Sequence, residues 1–139
     1  MSLADLTRMA TVMPVSSDDR EPRVNIIEKT DEEIRAIADP LWRDLVKNSN
    51  EGKYGEFVQN FSNDLARAMN QVEAGHQFAN SELARSLSGH FDYLGIIRRG
   101  EHVTVLYRQR SSKKAGEWLG RLVLGYENEK VRIFGASIF

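Results

Sequence analysis

Six side chains in this sequence can donate or accept protons in a pocket: His76, His90, Asp92, Tyr93, His102 and Tyr107. An imidazole or carboxylate serves as a general base when apolar surroundings move its pKa toward the working pH. His90 and Asp92 form the closest pair, because residues two apart on a strand starting at His90 project from one face. No catalytic motif surrounds them, so a strand-end role is the simpler reading, and they stand as the two candidates for catalysis. His102 follows Glu101 at the opening of a strand and reads as an exposed hairpin residue. His76, between Gly75 and Gln77, reads as a loop residue that could sit at a pocket mouth.

Other chemistries find less support. The three histidines lack zinc-like spacing and no run of carboxylates copies a calcium loop, so neither a metal nor another cofactor is expected. There is no cysteine, which excludes thiolate sites, disulfides and cysteine nucleophiles. Gly116, Gly120 and Gly125 lie in or beside a strand pattern and not between a strand and a helix, so they fail as a phosphate loop and read as positions of curvature or bulging. A basic patch, Arg98, Arg99, Arg108, Arg110, Lys113 and Lys114, gathers at one hairpin and the loop after it. It suits an anionic ligand, a phosphate backbone or an acidic partner, but Glu101, Glu117, Glu127 and Glu129 nearby also suit a solvated, balanced sheet end.

Composition narrows the class. The 139 residues fit one domain, and 19 Lys+Arg against 20 Asp+Glu leave a formal charge of -1, without the basic excess of a nucleic-acid binder. No apolar run is long enough for a transmembrane helix, and Asp5 and Arg8 interrupt the N-terminal apolar residues, so no membrane partner and a cytoplasmic location are expected. A chain from which an export signal had been trimmed would read the same way.

The elements that must hold these side chains are set by periodicity. Residues 1 to 29 read as an extension: a weak helical pattern through Leu3, Leu6, Met9, Ala10 and Met13, then a linker from Pro14 to Pro22 too polar to offset its ordering entropy, then a short run from Val24 to Ile27 that either adds an edge strand or extends over the body of the domain. A single domain is expected over 30 to 139. Thr30-Asp31-Glu32-Glu33 is a capping box that opens a helix with the stripe Ile34, Ile37, Ala38, Leu41, Trp42, Leu45 and Val46, kinked by Pro40 and ended between Asn48 and Gly52. The spacing of Tyr54, Phe57, Val58, Phe61, Leu65, Ala68 and Met69 predicts a second helix to Asn70. Ser81 to Leu87 predicts a third, capped by Asn80 or Ser81 and stopped by Gly89.

From Phe91 onward the period changes to two. Phe91, Tyr93 and Ile97 share one face of a first strand; Val103, Val105 and Tyr107 share one face of a second; Trp118, Leu122, Leu124 and Tyr126 share one face of a third; and Val131 to Phe139 forms a fourth. Connections this short force antiparallel neighbours, hence a four-stranded meander. Helices succeeded by strands predict an α+β fold with the helices packed on one face of the sheet.

This order, with the helix stretch Leu41-Trp42-Arg43-Asp44-Leu45-Val46, the loop Asn50 to Tyr54 leading into Phe57 and Phe61, and the ending Val131 to Phe139, resembles the NTF2-like (cystatin-like α+β cone) superfamily, particularly its small bacterial members. The resemblance covers residues 30 to 139. It implies a curved sheet around the helices, often a pocket at the open end of the cone, and frequent dimerisation through the outer sheet face. Trp42, Phe57, Phe61, Tyr93 and Tyr107 are then the candidates to line a pocket for a small apolar ligand, although Trp42, Phe57 and Phe61 read first as core. The group includes isomerases, dehydratases and cyclases that use a pocket Asp or His, and many proteins without catalysis, so fold does not decide function. Because no convergent catalytic set stands out, a noncatalytic binding or scaffold domain is expected ahead of an enzyme of that kind or an interaction module built on the basic sheet end. Apolar residues at both parities of the strands, Leu119 and Val123 against Leu122 and Leu124, further predict a homodimer through the outer face.

Overall fold

The computed structural model describes residues 25–68 and 81–139. Helix α1, Asp31–Glu51, opens with the expected capping box: Glu33 N donates to Thr30 Oγ1 at 3.1 Å, and Thr30 N donates to Glu33 Oε1 at 2.9 Å. It continues through Pro40 to Glu51, although proline leaves the Ala36 carbonyl without its helical amide. Gly52 closes it at φ 68, where a residue without Cβ turns the chain at little cost. The buried stripe contains Ile34, Ala38, Trp42, Leu45 and Val46.

The expected second helix is broken. A short α2, Tyr54–Phe57, is followed by a turn and then by α3, Asn63–Ala68, whose expected continuation to Met69 and Asn70 lies outside the described residues. Between them Phe61 forms a parallel bridge with Ile133: Ser62 N donates to Ile133 O at 2.8 Å and Ile133 N to Asn60 O at 2.7 Å. Ser62 then caps α3 through Leu65 N, and the Asn63 amide donates to the Glu127 carboxylate. Pairing with a strand edge has taken backbone groups that a continuous helix would use.

Two smaller expectations also change. Ser81 to Leu87 is a turn, not a helix: Ser81 Oγ accepts from Ala84 N as a cap would, but Leu87 already belongs to the sheet, and Gly89 lies inside the first strand. Asn25 to Ile27 enters a 3-10 turn, Ile26–Glu28, not an edge strand, and buries Ile26 fully in the core.

The sheet has the order β1-β2-β3-β4, with β1 Leu87–Arg99, β2 His102–Ser111, β3 Trp118–Glu127 and β4 Lys130–Ile138, every neighbouring pair antiparallel. The fold is α+β, a few helices packed against a four-stranded antiparallel open sheet. The β3–β4 connection places Asn128 and Glu129 at φ 53 and 66, a two-residue turn whose twist matches the strands it joins. Val103, Val105, Tyr107, Leu122, Leu124 and Ile133 meet the α1 stripe in one cluster.

An irregularity between Tyr93 and Gly95 changes the face taken by the rest of β1. Ile96 turns toward the core and Ile97 turns out, where it is 46% exposed. Strict alternation from Phe91 would have put Ile97 inside; one unpaired residue reverses every later side chain in the strand. Further shifts lie between Leu87 and Phe91 in the β1–β2 ladder and between Val123 and Leu124 in the β3–β4 ladder, the latter leaving Phe134 without a register partner.

Candidate functional site

Two neighbourhoods beside α1 have the geometry of a site. The first is a half-open cavity of about 310 Å³ between α1, α2, the Ser81 turn and the end of β4. Its walls are apolar, with Trp42, Leu45, Phe57, Leu83, Leu87 and Ile138 prominent, and its polar residues are Ser49, Ser81 and Ser137. Ser49 Oγ donates to Ala84 O and so holds the turn against the helix, while Ser81 Oγ accepts from Ala84 N within the turn. Asn50 assists: its side chain donates to Leu87 O and accepts from Leu87 N, both at 2.8 Å. No ionisable side chain is among the described residues of the wall. This arrangement can exclude water from an apolar molecule; it offers no proton donor or acceptor of tunable charge.

The second neighbourhood is a polar network where α1 crosses β2, buried at Tyr107 and Gln109 and open to solvent at Arg35. Tyr107, fully buried, donates its hydroxyl to Asp39 Oδ1 at 2.7 Å, and Arg35 pairs with the same carboxylate at 3.2 Å. Burial raises the pKa of the Tyr107 phenol far above its ordinary value, and the hydrogen bond to Asp39 raises it further. The phenol is therefore a fixed donor and not a proton-transfer group near neutrality. Phe91 meets the Tyr107 ring edge-on with centroids 5.2 Å apart, and the Arg35 guanidinium lies 4.2 Å from the centre of the Tyr93 ring. Gln109, fully buried, donates Nε2–H to Ser88 O and to Arg110 O while accepting from the Trp42 indole. Each of these buried polar side chains is satisfied from within the protein, as a structural network requires.

The residues singled out by sequence are divided between these places. Trp42 and Phe57 line the cavity. Phe61 is buried beside it, edge-on to Phe57 with centroids 5.5 Å apart, and does not line it; Tyr93 and Tyr107 belong to the polar network instead. His90 and Asp92 lie exposed on β1, away from the cavity, and Asp92 is held by Arg110 at 3.1 Å and Arg108 at 3.5 Å. His102 is half-buried, its ring edge-on to Phe134 at 4.6 Å. His76 lies outside the described residues, among which no three His, Cys, Asp or Glu side chains gather closely enough to hold a metal ion.

The basic patch is not one surface. Arg98 reaches toward the helices, donating to Ile27 O, Lys29 O and Asp31, whereas Arg108 and Arg110 share both Asp92 and Glu117. Arg99 pairs in register with His102, and Lys113 and Lys114 give their backbone amides to Ser111 Oγ. Sequence reasoning missed Asp39, Gln109 and Ser137. Gln109 had a signal, being the next position on the Val103-Val105-Tyr107 face; Asp39 had none, since its partner Tyr107 is remote in sequence.

No family model, no curated protein and no solved structure matches this chain.

Proposed function

We propose that this chain is a noncatalytic, NTF2-like binding domain whose cavity takes a small, neutral, largely apolar molecule. The observation that carries the reading is the chemistry of the described wall: apolar side chains, three serines and no ionisable group around about 310 Å³. A charged ligand would lose hydration there and find no counter-charge. An isomerase, dehydratase or cyclase working in this cavity would need a carboxylate or imidazole that the described wall does not supply, and His90 and Asp92 lie elsewhere.

Tryptophan fluorescence tests the proposal directly, because Trp42 lines the cavity and Trp118 is the sole other tryptophan. In a Trp118→Phe background, a neutral apolar dye such as Nile red is expected to quench or shift Trp42 emission saturably. Absence of any saturable change would overturn the reading.

The outer face of the sheet supports a second reading, association with another protein surface. Leu94 is 47% exposed and Ile97 46%, and Leu119 is also exposed. Apolar side chains on a face without helices favour a cover, and a second copy of the chain is the simplest one to test, by light scattering at micromolar concentration.

A further inference from the structure

We infer that the outer face of the sheet is built to receive a partner segment that alternates apolar and acidic side chains, with Arg121 as its central carboxylate contact. The inference rests on reading this face as an interface and is independent of the cavity.

Position comes first. Leu119, Arg121 and Val123 alternate with buried Gly120, Leu122 and Leu124, so they share the outer face of β3, an inner strand. Arg121 is opposite Leu106 on β2 and Ser137 on β4. It is therefore an exposed cation in the middle of a face with apolar neighbours, not a rim residue.

Charge then selects the partner. The two carboxylates on this side, Asp92 and Glu117, are each shared by Arg108 and Arg110, a set of two positive and two negative groups that is neutral as a whole. Arg121 has no carboxylate among the described residues and rests over the Phe139 ring at 5.4 Å from its centre. Directly across from it in the ladder stands Ser137, whose hydroxyl is buried and brings no negative charge to the guanidinium.

A second copy fits poorly. A two-fold contact centred on the inner strands sets like against like, bringing two Arg121 side chains into one dehydrated contact while Asp92 and Glu117 are already engaged. An extended or helical segment with apolar residues flanking a glutamate or aspartate instead covers the apolar positions and supplies the missing negative charge. Bidentate pairing with a guanidinium then fixes its register.

The test uses two labelled synthetic peptides, one alternating leucine with glutamate and one alternating leucine with lysine, read by fluorescence anisotropy against the full chain. The leucine–glutamate peptide is expected to bind, more weakly as salt rises, and the leucine–lysine peptide not to bind. Arg121→Gln should weaken binding by about tenfold or more, through loss of the charge-assisted carboxylate pair. Arg121→Glu should reverse the preference between the peptides. Circular dichroism reports folding, and if Arg121→Glu fails to fold, Arg121→Gln decides. Equal binding of both peptides, no binding of either, or variants that behave like wild type would overturn the inference, as would a stable homodimer that excludes the peptide. Loss of dye binding alone would count against the cavity and leave the face untouched.

Discussion

The indole of Trp42 donates its Nε1–H to Oε1 of Gln109 at 3.0 Å, across 67 positions of sequence, and so ties the centre of α1 to the inward face of β2. Trp42 also stacks on Tyr107, with ring centroids 5.2 Å apart and planes 20° apart. The same side chain forms part of the cavity wall, so the residue that registers helix against sheet also shapes the space between them.

Replacing Gln109 should therefore cost more than its own side chain. Gln109→Leu leaves the Trp42 indole N–H and the Ser88 and Arg110 carbonyls without their partner, and a loss of about 1 to 3 kcal/mol is expected in urea denaturation. Adding Trp42→Phe to that variant should cost less than the same substitution costs in the wild type, because the interaction is already gone.

Gly120 lets the Trp42 ring of α1 lie directly on the sheet. A Cβ built there would lie 2.5 Å from Trp42 Cζ2, so Gly120→Ala should destabilise by about 1 to 3 kcal/mol through overpacking. Trp42→Leu in the same chain should recover part of that loss, which thermal denaturation of the double variant would show.

Alkaline stability should depend on Tyr107. Its pKa is raised in the folded chain, first by burial, so above an unfolded value of about 10 the unfolded state releases a proton that the folded state keeps. The contribution is complete below about pH 10 and is lost as pH climbs toward the folded value. Wild-type stability should thus fall above about pH 10, and Tyr107→Phe should remove that part of the slope. Denaturation midpoints at several alkaline pH values provide the comparison.

Filling the cavity should separate binding from folding. Ala84 lines it from the Ser81 turn and is half-buried, so Ala84→Leu places extra volume where a ligand would sit. Dye affinity is expected to fall by about tenfold or more while the melting temperature changes little, since the added methyl groups enter open space.

At the start of α1, Thr30→Ala should cost about 1 kcal/mol by removing the acceptor for Glu33 N. Glu33 has its pKa lowered, first by the bond from the Thr30 backbone amide, so the carboxylate's part of this cap is present above its unfolded value and lost as pH falls. That amide remains in the Thr30→Ala variant, so urea midpoints of variant and wild type should fall together in acid.

Local chemistry was legible where neighbours in sequence settle it. Thr30 and Glu33 cap α1 because both partners lie within one helical turn, and Val103, Val105 and Tyr107 face inward because a strand with one buried face repeats every two residues. The α+β class and the meander came from such signals together with short connections. The helix expected from Tyr54 to Asn70 did not, because Ile133, remote in sequence, offered Asn60 and Ser62 a strand edge. Ile97 was misassigned because an unpaired residue between Tyr93 and Gly95 leaves no mark in the apolar pattern.

The candidate site divides in the same way. Sequence alone determined that the chain carries aromatic stripes on helix and strand, a basic hairpin, no cysteine and no motif that gathers His90 and Asp92 into a catalytic set. Tertiary structure alone decided that Trp42 and Phe57 border a cavity while Phe61, Tyr93 and Tyr107 do not, and that Asp92 is committed to Arg108 and Arg110. Helical and strand periods say which face a side chain takes, whereas a cavity and a shared ion pair depend on how separate elements dock. That docking is set by contacts such as Trp42 against Gly120 and Gln109, whose partners no local window contains.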